Sequence, residues 1–153
     1  MNTDPKSAYR DAAVQTATPV RRVVLLYEQI IQDLQRAAHA LRQGEAERRC
    51  HEIDHALVVI GQLQMSLDME RGGEVALNLE RFYKLLRANL MEAQFQGSQN
   101  LLEQQIAHLL SVREAWTEVE RVTGQEGKRV APPASPAAPQ GPPVDAARVN
   151  WSA

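Results

Sequence analysis

The chain has 153 residues, of which 44% are apolar and only 5% aromatic, and its formal net charge at pH 7 is −2. This length suits one domain with a hydrophobic core, and the scarcity of aromatic residues favours helices packed on helices over a β-sandwich. No Lys/Arg cluster marks a nucleic-acid binder, and neither a signal peptide nor an apolar run long enough to cross a bilayer is present, so we expect a soluble, cytoplasmic protein with no membrane insertion.

The first predicted helix begins at Thr18-Pro19, because threonine is a good N-cap and proline suits the first helical position. Residues 1–17 precede it and are polar, which predicts a short helix or an arm lying on the domain. From Pro19 to Gly44 apolar residues recur at three- and four-residue steps, as on one face of a helix. These residues are Val20, Val23, Val24, Tyr27, Ile30, Ile31, Leu34, Ala38 and Leu41.

The second and third predicted helices are separated by Gly72-Gly73, where we expect the chain to reverse direction. The second helix runs from about Glu45 to Leu67, and the third from Glu74 to Gln96. The apolar stripe of the second is Ile53, Ala56, Leu57, Ile60, Leu63 and Leu67. That of the third is Val75, Leu79, Phe82, Leu86, Leu90 and Ala93.

A fourth helix is predicted from Ser98, which can cap it after the break at Gly97, to Gly124. Its apolar residues are Leu101, Leu102, Leu109, Val112, Trp116 and Val119. Four helices of this length with short connections predict an all-α protein, an antiparallel four-helix bundle over residues 18–123. Residues 124–153 hold six of the eight prolines, between Pro132 and Pro143, which predicts a disordered tail with Trp151 in solvent.

The third helix carries a second apolar stripe, Leu77, Ala88, Met91 and Phe95, opposite its core stripe and interrupted by Lys84. Leu25 in the first helix, and Val58 and Val59 in the second, also face away from the predicted core. Such surplus apolar surface favours a groove for an amphipathic or disordered peptide. Two alternatives stay open: the third helix is central and buried on a wide arc, or the stripe joins two copies in a structural homodimer.

The segment His51-Glu52-Ile53-Asp54-His55 matches the H-E-x-x-H pattern of zinc metalloproteases. The longer signature is absent, since Val58 stands where its glycine belongs and Gly61 where its histidine belongs; a third ligand from Glu74 or Glu80 stays open. At 100° per residue both histidines point away from the predicted core, so we expect two solvated surface histidines, no catalytic residues and no cofactor. A zinc-dependent hydrolase that uses this motif is the alternative function.

From Tyr9 to Trp116 the chain resembles the family of the flagellar secretion chaperone FliS. The matching segments are Tyr9; Gln15-Thr16-Ala17-Thr18-Pro19; Leu25-Leu26-Tyr27; Ser66-Leu67-Asp68, Gly72-Gly73-Glu74 and Asn78-Leu79; Tyr83; Ala88-Asn89; Arg113 and Ala115-Trp116. Where the family has an acidic residue and a glycine after the tyrosine of the first helix, this chain has Glu28-Gln29. The Pro-rich tail lies outside the resemblance.

The resemblance implies a cytoplasmic helical bundle that binds the disordered C-terminal segment of flagellin. It implies that the protein prevents premature polymerisation and delivers its client to the type III export gate protein FlhA. The resemblance also implies that the N-terminal arm covers part of the binding surface until the client displaces it. We expect client contacts at residues taken from the family positions and from the second stripes: Tyr9, Thr16, Leu25, Tyr27, Val58, Met91 and Phe95. For Tyr27, which lies on the core stripe, packing inside the bundle is the favoured alternative.

Overall fold

A computed structural model describes residues 5–6 and 18–129 of the chain. Residues 18–129 form four helices: α1 (Pro19–Arg42), α2 (Ala46–Met65), α3 (Met69–Gln96) and α4 (Gln99–Arg129). The predicted all-α bundle is confirmed. The predicted arm with Tyr9 and Thr16, and residues 130–153 of the predicted tail, lie outside the described residues. None of the described helices combines the length and apolarity needed to cross a bilayer.

Side-chain contacts show that neighbouring helices run antiparallel. Between α1 and α2, Asp33 contacts His55 whereas the later Arg36 contacts the earlier Glu52. Between α1 and α4, likewise, the earlier residue of α1 contacts the later residue of α4, as the pairs Arg21–Glu120 and Glu28–Arg113 show. The pairs Arg49–Gln94 and Gln64–Arg87 show the same order between α2 and α3. Each helix thus packs against the helices beside it, and α1 lies diagonally opposite α3.

The first helix begins as its sequence predicts. The Thr18 Oγ1 atom accepts a hydrogen bond of 3.1 Å from the Arg21 backbone N–H, and Pro19 is the first helical residue. Ser98 does the same for α4, where its Oγ atom accepts 3.1 Å from the Leu101 N–H after Gly97 (φ 62°) has ended α3. Gly124 does not end α4, which continues to Arg129.

The chain leaves α2 at Ser66–Asp68 and is non-helical again at Gly73, so the predicted break at Gly72-Gly73 is present but the connection begins earlier than expected. Asp68 explains the early start of α3, because its Oδ1 atom accepts hydrogen bonds from the backbone N–H groups of Glu70 (3.2 Å) and Arg71 (3.1 Å) and so caps a helical turn before Gly73. Gly73 then kinks the helix with φ 55° and ψ −131°, a conformation open to glycine and strained for other residues. Beyond the kink the helix follows the predicted range.

The core lies along the predicted stripes of all four helices. Its largest fully buried side chains are Tyr27, Tyr83, Ile30, Leu34, Ile53, Ile60, Leu63, Leu86, Leu90, Leu102, Leu109 and Gln105. Tyr83 and Gln105 are additions to the predicted set. Val59 was expected to face outward with Val58 but is buried, because it turns towards α1 on the same side of α2 as Glu52.

Candidate peptide-binding surface

The outward face of α3 carries exposed apolar side chains. Phe95 is 88% and Met91 58% exposed, and Leu77 and Ala88 are exposed at helical spacing on the same face. The alternative in which α3 is buried on a wide arc is therefore wrong. The second stripe predicted from the sequence is instead an open apolar face.

Helix α2 adds two exposed apolar side chains, Val58 (61%) and Met65 (85%). They are seven residues apart and so lie on one face of the helix, opposite the side that carries the buried Ile60. We name the six residues Val58, Met65, Leu77, Ala88, Met91 and Phe95 the outer stripe. Two of them are methionines, whose flexible side chains repack readily against different partners.

Arg87 holds α2 and α3 together beneath the outer stripe. Its Nη2 atom donates hydrogen bonds to the Leu57 carbonyl oxygen (3.3 Å) and to Gln64 Oε1 (3.0 Å). Gly61 faces this guanidinium, since a Cβ built on the glycine would lie 3.5 Å from Arg87 Nη2. Because Gly61 has no side chain, the Arg87 guanidinium fills the junction between α2 and α3, and the exposed apolar side chains of the outer stripe lie on both helices beside it.

At one end of the bundle lies a cavity of about 400 Å³, which we name the end cavity. It is open between the start of α1, the α2–α3 turn, the first turns of α3 and Trp116 of α4. Its apolar lining is Val20, Val23, Leu26, Leu67, Val75, Ala76, Leu79, Tyr83 and Trp116. This volume is within the usual range of ligand pockets, and the lining suits an apolar side chain.

Two tyrosines are buried at the end cavity: Tyr83 lines it, and Tyr27 lies behind Tyr83. The Tyr27 hydroxyl donates a hydrogen bond of 2.9 Å to the Tyr83 hydroxyl, and the ring centroids are 6.2 Å apart. Burial raises the pKa of Tyr83 to about 12. Burial also raises the pKa of Tyr27 well above its usual value, with a further increase from Tyr83 and an opposing contribution from a hydrogen bond with Trp116. Both phenols are therefore neutral at physiological pH and act as packing groups.

The predicted contact residues fall into three groups. Val58, Met91 and Phe95 lie on the outer stripe. Leu25 is half-buried on α1. Tyr27 is wholly buried in this conformation, as its core-packing alternative predicts. Tyr9 and Thr16 lie outside the described residues.

The H-E-x-x-H segment is part of a polar cluster between α1 and α2. Wholly buried Asp33 has its Oδ2 atom 2.6 Å from His55 Nδ1, while its Oδ1 atom accepts hydrogen bonds from Gln29 (2.9 Å) and Arg36 (2.7 Å). Glu52 accepts a hydrogen bond of 3.1 Å from Arg36 Nε. His51 and His55 are both exposed, as the sequence predicts, and the contact of the His55 ring with Asp33 is the feature that the sequence did not predict.

The contacts of this polar cluster involve the residues that the H-E-x-x-H pattern would need for zinc binding and catalysis. Glu52, the general base in the metalloprotease pattern, is nearly buried and paired with Arg36. Among the described residues, no three His, Cys, Asp or Glu side chains are placed to hold a metal ion.

Sequence reasoning missed some of this surface. Met65 follows Val58 by seven residues, so the helical period that placed Val58 outside could also have placed Met65 there. The same holds for Leu85, an exposed leucine on α3 beside the outer stripe. The end cavity has no signal in the sequence, since its lining comes from four helices.

Comparison with known proteins shows which family this chain is similar to. The family model described as "Flagellar protein FliS" matches residues 1–123. The chain is 36% identical over 106 residues to "Flagellar secretion chaperone FliSB" of Pseudomonas aeruginosa, covering 69% of this chain and 84% of that protein. It is 28% identical over 110 residues to "Flagellar secretion chaperone FliS" of Salmonella typhimurium (71% and 82% covered) and 25% identical over 113 residues to that of Bacillus subtilis (74% and 84% covered).

Proposed function

Since this chain belongs to the FliS family, whose members are chaperones and not enzymes, we propose that it binds the C-terminal segment of flagellin and prevents its premature polymerisation. Membership of the family overturns the alternative of a zinc-dependent hydrolase. The names of the relatives support a role in flagellar secretion. The choice of flagellin as the client follows from the resemblance of the sequence to the family.

The observation that carries the proposal is the outer stripe. Phe95 and Met65 are more than four-fifths exposed, which is unusual for large apolar side chains in a protein that works alone. A chaperone needs such a surface, because a client segment with an apolar face must be covered until it reaches its destination. An amphipathic client helix that lays its apolar face along α2 and α3 would cover the outer stripe in this way.

The chemistry of the surface also suits a client that must be released. Folding a disordered segment onto a partner typically buries about 1,000–3,000 Å² and loses about 2–5 kcal/mol to the ordering of the segment. A long shallow surface offsets that loss by area instead of by a few deep contacts. Lys84 is exposed, and its Nζ atom lies 3.9 Å from Glu80 Oε2. It interrupts the apolar residues of the outer stripe on α3 and provides a polar position among them.

We further propose that the protein acts in the cytoplasm and passes its client to the export gate protein FlhA. This step follows from the resemblance and agrees with the description of the relatives as secretion chaperones. We also propose that the predicted N-terminal arm, residues 1–17, covers part of the client surface until the client displaces it.

A second copy of this chain is the other candidate for covering the outer stripe. The stripe is apolar along two helices, and an apolar face can pair with its own symmetry mate in a two-fold dimer. Sedimentation of the protein over a wide concentration range separates the two ideas, because only the homodimer predicts that the mass depends on the protein concentration.

Calorimetric titration with a peptide covering the C-terminal segment of flagellin from the same organism tests the proposal. We expect saturable one-to-one binding with a negative heat-capacity change, as apolar burial requires. A peptide with the same composition in scrambled order is the control, because scrambling destroys the apolar face and keeps the charge. Absence of binding by a protein whose circular dichroism is helical would refute flagellin as the client.

A further inference from the structure

The end cavity is an apolar site separate from the outer stripe. It is lined mainly by residues that point into the bundle end, such as Val20, Val75 and Leu79, whereas the outer stripe faces outward along α2 and α3. Its volume of about 400 Å³ can accept one large aromatic side chain. Within the described part of the chain no side chain fills it.

Helix α4 carries the chain out of the bundle at this same end. Arg21 Nη1 lies 3.4 Å from Glu120 Oε1, so Glu120 is level with the first turn of α1. Because α1 begins at Pro19, the part of α4 between Glu120 and Arg129 projects beyond α1. Trp116, one wall of the cavity, precedes Arg129 by thirteen residues, which corresponds to about 20 Å along a helix.

The sequence after Arg129 has one aromatic residue, Trp151. Residues 130–150 separate Arg129 from Trp151. A flexible chain of this length has a root-mean-square span of about 25 Å, and an extended polyproline chain about 65 Å. The separation of about 20 Å is thus within reach. A linker whose natural span matches the separation of two sites gives the highest effective concentration, in the millimolar range.

The rim of the cavity carries one basic and one acidic side chain, Arg22 and Asp68. Asp68, which lines the cavity, is the only carboxylate among the described lining residues, and its side chain is 44% exposed. One of its oxygens lies 3.7 Å from Arg71 Nε, too far for a hydrogen bond. Arg148 precedes Trp151 by three residues and can approach this carboxylate when the indole enters the cavity.

We propose that the end cavity binds the indole of Trp151 from the same chain, with residues 130–147 as the linker and Arg148 beside Asp68. The tail then occupies an apolar site that no side chain of residues 18–129 fills. If the client of the proposed function also uses this cavity, the tail is its competitor; that consequence rests on the proposed function, whereas the docking itself does not.

Fluorescence of the full chain tests the docking without any client. The chain has two tryptophans, Trp116 and Trp151, so the difference between the wild type and Trp151→Ala isolates the emission of Trp151. We expect that emission to be blue-shifted and several-fold less quenched by acrylamide than the emission of free indole. Val144→Ala, an apolar truncation elsewhere in the tail, is the control and should leave the emission unchanged. A red-shifted, fully quenched Trp151 would overturn the proposal.

A cavity-filling substitution identifies the docking site. In Val75→Phe the added ring occupies the cavity, so Trp151 should show the emission and quenching of a solvated indole. Leu79→Phe repeats the test from the next turn of α3 in case the first variant does not fold. A Trp151 signal that stays buried in both folded variants would overturn the cavity as its site, and a signal lost on dilution would assign the contact to a second copy.

Discussion

The hydroxyl of Tyr27 on α1 donates a hydrogen bond of 2.9 Å to the hydroxyl of Tyr83 on α3, across the diagonal of the bundle. Helices α1 and α3 are not neighbours, so this bond joins two elements that otherwise meet mainly through the core. Satisfying both hydroxyls is what allows two phenols to be buried at this depth. The pair therefore supports the wall of the end cavity, which Tyr83 lines and behind which Tyr27 is buried.

This pair predicts a loss of stability at alkaline pH. The folded-state pKa of Tyr83, about 12, is above the value of 10.0 for an exposed tyrosine, so its contribution is complete below pH 10 and is lost as the pH rises towards 12. We expect a decrease of about 3 kcal/mol in the free energy of unfolding over that range. Urea titrations at several pH values measure it, and a Tyr27→Phe/Tyr83→Phe double variant with an equal decrease would contradict the assignment.

Two glycines with positive φ allow a matched test of the kink in α3. A Cβ would meet nothing within 4 Å at either Gly73 (φ 55°) or Gly44 (φ 75°), so backbone strain alone separates their alanine variants. We expect Gly73→Ala to cost about 2–3 kcal/mol and Gly44→Ala about 1 kcal/mol, because Gly73 also has ψ −131°, outside the left-handed helical region. Thermal unfolding measures both, and equal costs would show that the kink is not strained for alanine.

The buried carboxylate of Asp33 should be important for stability. The substitution Asp33→Ala removes the carboxylate that contacts Gln29, Arg36 and His55. These polar side chains, on α1 and α2, then lose a hydrogen-bond partner. We expect a cost of about 1–3 kcal/mol. Asp54→Ala, an exposed carboxylate on α2, is the control and should change stability by less than about 0.5 kcal/mol. Similar effects of the two substitutions would mean that the cluster contributes nothing specific.

Phe95 should matter for binding and not for folding. Since its side chain is 88% exposed, Phe95→Ser should leave the melting temperature nearly unchanged. We expect the affinity for the flagellin peptide to decrease about tenfold, as for an aromatic hot-spot residue. Leu110→Ser on α4, outside the outer stripe, is the matched control. A decrease of the same size in the control would mean that the effect is not local to the stripe.

Removal of the predicted arm tests whether it covers apolar surface. Deleting residues 1–14 should increase the fluorescence of the dye ANS, because the deletion would uncover part of the client surface while Thr18 still caps α1. The helical signal in circular dichroism is the check that the bundle remains folded. Unchanged dye binding would count against a covering role for the arm.

Part of the candidate surface could be predicted from the sequence, and part could not. The helical period placed Met91, Phe95 and Val58 outside because each lies opposite a continuous apolar stripe on its own helix. The same period placed Val59 outside and was wrong, since the direction from which α1 approaches α2 is not encoded in α2 alone. For His55 the period correctly gave an outer position, but the partner Asp33 is on another helix.

The sequence by itself determined the four helices, the caps at Thr18 and Ser98, and the main core stripes. These features depend on residues within a few positions of one another, where capping and periodicity act. Only the tertiary structure decided the contact between Asp33 and His55, the contact between Tyr27 and Tyr83, and the end cavity. Each of these depends on the relative positions of separate helices, because packing selects among partners that the local sequence of any one helix leaves equally available.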